Sequence, residues 1–278
     1  MIGGKEGAMT RVIVAGAAGR MGQRIIHMVQ AHPGLELSGA FETEGNPALG
    51  KDAGAISGLG ATGIPITAGL ESVIEQGDVI IDFTFHAATV RFAHLAASHG
   101  KAMIIGTTGL SAEELATLKG LAEAHFPCVQ SPNMAVGVNV LFKLVAKAAT
   151  ILGDAYDVEI VEAHHRMKKD APSGTALKLG QMAAQALGRD LAEVGVMERN
   201  GIIGERTDRE IGIQTIRGGD IVGEHTVYFA GAGERLEITH RATNRDNFAR
   251  GAALAAAWVS GKPNGLYTMF DVLELNTF

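Results

Sequence analysis

The chain holds one cysteine, Cys128, among 278 residues. An internal disulfide is therefore excluded, as are zinc sites that need two or more thiolates. Tyrosine is nearly as scarce. Tyr156, Tyr228 and Tyr267 are followed four residues on by Ile160, Ala232 and Asp271, so no Tyr-x-x-x-Lys proton relay is present. Cation is in deficit: 24 Lys and Arg stand against 30 Asp and Glu, a net charge of −6. No global basic field exists to hold a nucleic acid. No apolar run approaches the ~18 residues of a membrane span. The most apolar helical stretch, Ala252–Val259, is far shorter. Residues 1–10 are polar and glycine-rich, with no apolar segment after a basic start. No secretory leader is expected there, the segment reads as a flexible extension or a non-native remnant, and the expected location is the cytoplasm. His-Glu-x-x-His, Walker and Gly-x-Ser-x-Gly patterns are missing.

What is present is an ordinary packed composition, 46% hydrophobic and 19% charged. The length suits one large or two small domains. The first half alternates strands and helices. Arg11–Ala15, Leu35–Phe41, Val79–Phe83, Ala102–Ile105 and Cys128–Gln130 read as strands. Arg20–Gln30 carries apolar residues at helical spacing and stops at His32-Pro33-Gly34. Ala87–Ser98 reads as a helix, and Ser111 with Glu114 is a capping-box pattern that opens another. Residues 43–69 read mainly as loop. Such alternation implies a parallel sheet covered on both faces. After Asn133 the rhythm changes. Helices are expected at Val138–Ile151, Thr175–Leu187 and Asn247–Val259, with strands at Tyr156–Glu162, Ile211–Arg217, Ile221–Ala230 and Arg235–Arg241. Gly218-Gly219-Asp220 and Gly231-Ala232-Gly233-Glu234 read as hairpin turns. The fold class is α/β: a Rossmann-type doubly wound parallel sheet, then an α+β domain with a mixed or antiparallel sheet.

Two segments carry chemistry. Gly16-Ala17-Ala18-Gly19-Arg20-Met21-Gly22 lies between a strand and a helix. Small residues let a pyrophosphate approach the backbone, and a helix N-terminus offers free N–H groups. The spacing is GxxGxxG, with Ala18 where a middle glycine would stand. Glu42 ends the second strand, where an acid bonds the ribose 2′-hydroxyl of NAD. Thr43 follows it, where an arginine would grip a 2′-phosphate. NADH is therefore the expected cofactor, and NADPH stays open through nearby Arg20. Phe83-Thr84-Phe85 and Gly106-Thr107-Thr108-Gly109 end two further strands, where ligands of open sheets gather. Cys128, in an apolar run, reads as core.

The second segment is Glu162-Ala163-His164-His165-Arg166-Met167-Lys168-Lys169-Asp170-Ala171-Pro172-Ser173-Gly174-Thr175. A cationic loop here runs into a helix start that Ser173 or Thr175 caps. It suits a small anion, such as a dicarboxylate, with His and Lys as proton carriers. A solvated charged face is the plain alternative. Metal is disfavoured, because adjacent His residues lack a third ligand at suitable spacing.

These stretches resemble the dihydrodipicolinate reductase (4-hydroxy-tetrahydrodipicolinate reductase) family. The matching strings are VAGAAGRMG, IDFT, IGTTG, SPNMAVGVNV, EAHHRMKKDAPSGT, GGDIVGEH and ERLEITH. The resemblance implies a dinucleotide-binding domain of residues 1–134, completed by 245–278, and a substrate-binding and oligomerisation domain of residues 135–244. It implies hydride delivery from NAD(P)H to a cyclic dicarboxylate, with loss of water, in diaminopimelate and lysine biosynthesis. His164 and Lys168 would be catalytic, and His165, Gly174 and Thr175 would hold a carboxylate. Gly16, Ala17, Ala18, Gly19, Arg20, Met21, Glu42, Gly106, Thr107, Thr108, Ser131, Pro132, Asn133 and Met134 would line the cofactor. A homotetramer built through the second domain's sheet is implied, with no metal. The sequence departs from the family's common pattern at Thr43, at Phe85-His86 and at Met167. A related reductase for another dicarboxylate and a non-catalytic NAD-responsive binder are the competing readings.

Overall fold

The computed structural model describes residues 9–277; the rest of the expected N-terminal extension lies outside the described residues. The chain forms two compact units, residues up to 135 with 246–277, and residues 136–245.

The first unit begins with β1 (Thr10–Ala15), α1 (Arg20–Ala31), β2 (Leu35–Glu42), α2 (Ala53–Ile56) and β3 (Ile66–Ala68). It continues with β4 (Val79–Asp82), α3 (His86–His99), β5 (Ala102–Ile105), α4 (Ala112–His125) and β6 (Pro127–Gln130). The second unit holds α5 (Val136–Leu152), β7 (Asp157–His164), α6 (Gly174–Ala186), α7 (Leu191–Val194), β8 (Gly195–Val196), β9 (Ile211–Arg217), β10 (Gly223–Gly231) and β11 (Glu234–Ala242). The chain then returns to the first with α8 (Asp246–Val259), β12 (Gly265–Tyr267) and α9 (Met269–Val272).

The first sheet runs β12-β6-β5-β4-β1-β2-β3, every pair parallel. Sheet order reverses at β1, between β4 and β2, which is where doubly wound sheets take their ligands. β4 and β5 are buried along their whole length, as a sheet covered on both faces requires. In α1 the buried residues Gly22, Ile25, Ile26 and Val29 recur at helical spacing and face the sheet. The Ser111–Glu114 capping box is present: Ser111 Oγ accepts from the Glu114 N–H, and Glu114 Oε2 accepts from the Ser111 N–H. Cys128 is fully buried, and burial pushes its thiol above the usual range, so it is core.

In the first sheet two short edge strands escaped the sequence reading, as did the two-residue β8 at the edge of the second. β3 lies in the segment read mainly as loop, and β12 follows Pro263. Each has three residues, too few to show a period.

The second sheet runs β11-β10-β7-β9-β8. β7 pairs parallel with β9 and antiparallel with β10. Gly218-Gly219-Asp220 is therefore not a hairpin turn, because β7 lies between the strands it joins. The other turn is a hairpin, closing at Gly231 opposite Glu234, with Gly233 at φ +84°. A long non-local pairing displaced the local one.

Among the described residues one helix, Val136–Ala155, is long and apolar enough by length and composition to cross a membrane. That corrects the expectation that no run comes close. Lys143 and Lys147 interrupt the run in sequence, so it does not stand out as a block. Its buried residues, among them Val138, Leu141, Phe142 and Val145, pack within the second unit against α6, β10 and β11.

Candidate active site

In the first unit β1 ends at the glycine loop. Gly16 has φ +62°, and a Cβ there would stand 3.0 Å from Thr84 Cγ2. A Cβ on Gly22 would stand 2.1 Å from the Gly16 carbonyl oxygen. These glycines let the start of α1 close onto the loop. Gly19 caps α1 with no side-chain hydrogen bond. Arg20 is exposed in the first turn, and Ala17 is buried beneath the loop. Glu42 Oε1 accepts from the Ala18 N–H at 2.9 Å, which fixes the carboxylate beside the loop. These features fit a dinucleotide: a close backbone, an uncapped helix start and an acid for the ribose.

Asp82 ends β4 and is fully buried. Its Oδ1 accepts from the Thr84 N–H at 2.9 Å and the Thr84 hydroxyl at 2.6 Å, and its Oδ2 accepts from the Thr89 hydroxyl at 2.5 Å. Burial pushes the carboxyl up, against the pull of those hydroxyls. Thr107 Oγ1 accepts from the Thr84 N–H at 2.9 Å, so the loops after β4 and β5 are tied together. A Cβ on Gly106 would stand 2.2 Å from the Phe83 ring. Thr108 and Pro132 are exposed. Ser131 is buried, and Asn133 Oδ1 accepts from the Ala135 N–H at 2.9 Å. Met134 lies in the unit's core at 1% exposure, so its side chain is packing and only its backbone is left to line a site. A cavity of ≈ 590 Å³ opens beside Gly16 and Thr84, and Glu42, Thr43, Glu44, Glu71, Phe85 and Arg91 also line it.

In the second unit β7 ends at His164, and the cationic loop runs to Ser173, whose Oγ accepts from the Ala176 N–H at the start of α6. Glu162 is fully buried at the centre. Its carboxylate meets His164 Nδ1 at 2.6 Å, Arg217 Nη1 and Nη2 at 2.8 Å each, the Ser173 N–H at 2.9 Å and the Thr215 hydroxyl at 3.3 Å. Burial pushes this carboxyl up. The hydrogen bonds of His164, Arg217 and Ser173 outweigh burial and hold it well below the usual carboxylate range. Lys168 Nζ pairs with Asp170 at 2.9 Å. Arg166, Met167 and Lys169 are exposed, and His165 and Thr175 are half-buried. Gly174 has open space where a Cβ would point.

His225 is buried beside this group. Its ring meets that of His164 edge-on, with centroids 5.2 Å apart, and its Nε2 lies 3.1 Å from Ser173 Oγ. Burial first, then the neighbouring His164, pushes His225 down to about 3, so the ring is neutral. Among the described residues no cluster of three or more His, Cys, Asp or Glu is arranged to hold a metal ion.

Two family models match, one for each part of the chain. Dihydrodipicolinate reductase, N-terminus, covers residues 10–134, and Dihydrodipicolinate reductase, C-terminus, covers residues 137–273. The chain belongs to the dihydrodipicolinate reductase family. A 4-hydroxy-tetrahydrodipicolinate reductase of Desulfotalea psychrophila is 70% identical over 267 residues, 96% of this chain and 99% of that protein. One from Syntrophobacter fumaroxidans is 57% identical over 267 residues, 96% of this chain and all of that protein. A solved dipicolinate-bound dihydrodipicolinate reductase from Paenisporosarcina sp. TG-14 superposes with a TM-score of 0.74 at 27% identity, over 95% of this chain and 98% of that one.

Within each unit of this family member, the structure brings together most of the residues singled out above. It also adds residues that the sequence reading passed over as site groups: Asp82, Glu162, Ser173, Arg217 and His225. Glu162 carried a signal, since residues two apart on a strand share a face, and His164 is two on. Arg217 and His225 carried none. Only strand register sets His225 opposite Glu162 and Arg217 opposite His164.

Proposed function

We propose that the chain reduces 4-hydroxy-tetrahydrodipicolinate to tetrahydrodipicolinate with release of water, the reductive step of diaminopimelate and lysine biosynthesis. The observation that carries this beyond family membership is the loop after β7. It sets His164 against a buried carboxylate, and Lys168 and a helix start lie in the same short segment.

The bound nicotinamide supplies the hydride. The chain's own residues do the rest. Cationic Lys168, Lys169 and Arg166, with the N–H groups at the start of α6, hold the dianionic substrate. His165, Gly174 and Thr175 take a carboxylate. His164 and Lys168 deliver the proton that must enter as the hydroxyl leaves as water. The Gly16–Met21 backbone holds the pyrophosphate, and Gly106, Thr107, Thr108 and the backbone of Ser131 to Met134 line the nicotinamide end. Phe85, exposed at the rim of the first unit's cavity, offers a ring for the adenine.

NADH is the preferred cofactor in this reading, with NADPH a weaker substitute. Glu42, Glu44 and Glu71 face the cavity with Arg91 as its cation, and a 2′-phosphate brings further negative charge. A cytoplasmic homotetramer completes the proposal, assembled through the second sheet. Ile216, half exposed on β9, points to the face opposite the buried Ile211 and Ile213 and gives that open face apolar surface to cover. Sedimentation of the purified chain checks the assembly.

The deciding assay supplies NADH and the freshly made condensation product of aspartate semialdehyde and pyruvate. Loss of nicotinamide absorbance with formation of tetrahydrodipicolinate supports the proposal. Cofactor binding without oxidation would show an NAD-responsive binder instead.

A further inference from the structure

We infer that Glu162 is a positioning residue for the proton transfer: its carboxylate holds the Nδ1 proton of His164 and leaves Nε2 as the working nitrogen, in a space that Gly223 keeps open. The inference rests on the proposed role of His164.

Donors surround Glu162. Arg217 offers two N–H groups, Ser173 a backbone N–H and Thr215 a hydroxyl. All can donate, and the guanidinium and amide can only donate. The Arg217 guanidinium pairs with both carboxylate oxygens and two further donors point at the same group in a fully buried place, so the carboxylate stays ionised and acts as acceptor only. The 2.6 Å contact to His164 Nδ1 then requires the hydrogen on Nδ1. In the neutral ring Nε2 is left as the acceptor, and in the charged ring it is the nitrogen that can give its proton away.

The space at Nε2 is kept by another strand. A Cβ on Gly223 would stand 3.0 Å from His164 Nε2 and 3.3 Å from Cδ2. Gly223 is a paired strand residue outside the left-handed region. Clearance over the ring, not backbone conformation, is therefore what glycine provides there. His225 supports the ring from its edge. Arg217 extends the effect, since Nη2 also donates to the Asp170 carbonyl at 2.6 Å, and the Asp170 carboxylate holds Lys168. One buried acid thus anchors both proposed proton carriers.

The test uses the full chain labelled with ¹⁵N-histidine. The His164 signals are assigned by their loss in H164A. The expected spectrum of the neutral ring shows Nδ1 protonated and Nε2 bare. E162Q should lose that preference, because its amide NH₂ must face at least one donor. Its kcat should fall about 100-fold, with KM for the dicarboxylate changing less than threefold. G223A should lower kcat and keep the Nδ1–H tautomer. A wild-type spectrum with the proton on Nε2 overturns the inference, and needs no variant to fold. So does folded E162Q with kcat within twofold of wild type. If E162Q is active while H164A is dead, only the part given to Glu162 falls. If H164A is itself fully active, the acid role of His164 falls with it.

Discussion

Gly22→Ala tests the first unit where its geometry is tightest. The added Cβ would lie 2.1 Å from the Gly16 carbonyl oxygen and 2.8 Å from both Ala17 Cα and Gly16 C. All three are backbone atoms, so no side chain can swing aside. Ordinary contact requires the start of α1 to withdraw by about 1 Å. That motion also pulls on the 2.9 Å bond from the Gly19 N–H to the Gly16 carbonyl. Overpacking of this kind costs about 1–3 kcal/mol. At roughly 2–4 °C per kcal/mol for a domain above about 150 residues, Tm falls by several degrees. The same withdrawal moves the N–H groups proposed to receive the pyrophosphate, and about 1.4 kcal/mol lost from binding raises Kd tenfold. Titration of reduced cofactor by fluorescence, beside a thermal melt, reads both effects. A lower Tm with unchanged Kd would show that this loop holds no cofactor. An unchanged Tm would show that the close contact itself is absent. Gly174→Ala is the matched contrast, because open space awaits its Cβ. It should leave Tm alone.

Three further outcomes follow from the two sites. H164A and K168A should each lower kcat by about 100-fold or more in steady-state assays, and near-normal turnover in both removes their assigned roles. Thr43→Arg should raise NADPH use relative to NADH in the ratio of kcat/KM, because a guanidinium would then stand beside Glu42 in a cavity rich in carboxylates. Stability should fall with acid below about pH 6.5. The unfolded chain protonates His225 there while the folded chain keeps it neutral down to about 3, a slope of about 1.4 kcal/mol per pH unit for that group. Glu162 adds to the loss once pH falls through the unfolded glutamate value near ~4.3, since its folded pKa is depressed. Denaturant melts between pH 7 and 5 check the first part, and a flat profile contradicts the buried neutral histidine.

The charge balance of the two sites is opposite, and the chemistry explains why. The first unit's cavity gathers carboxylates beside an uncapped helix N-terminus. Backbone N–H groups can hold a pyrophosphate without a lysine or arginine, and in the proposed reading the acids meet the ribose hydroxyls. The second unit concentrates cations in one loop of an otherwise acidic chain. In the function proposed above these cations capture a small dianion.

What the sequence by itself determined was local. The glycine spacing of Gly16–Gly22, the Ser111–Glu114 cap, the alternation of β1 to β6 with helices and the cationic run after Glu162 depend on neighbours within one or two turns. Hydrogen bonding and side-chain period act over that range, so these were legible. Tertiary structure decided the rest. It inserted β7 between β9 and β10, where the Gly218–Asp220 turn had suggested a hairpin. It added β3, β8 and β12 at the sheet edges, too short to declare themselves. It drew the Glu42 carboxylate onto the Ala18 N–H from 24 residues away. Above all, strand register carried Arg217 and His225 to Glu162 from more than fifty residues along the chain. Register follows from which faces can be buried together across a whole sheet, and no local window of residues contains that information.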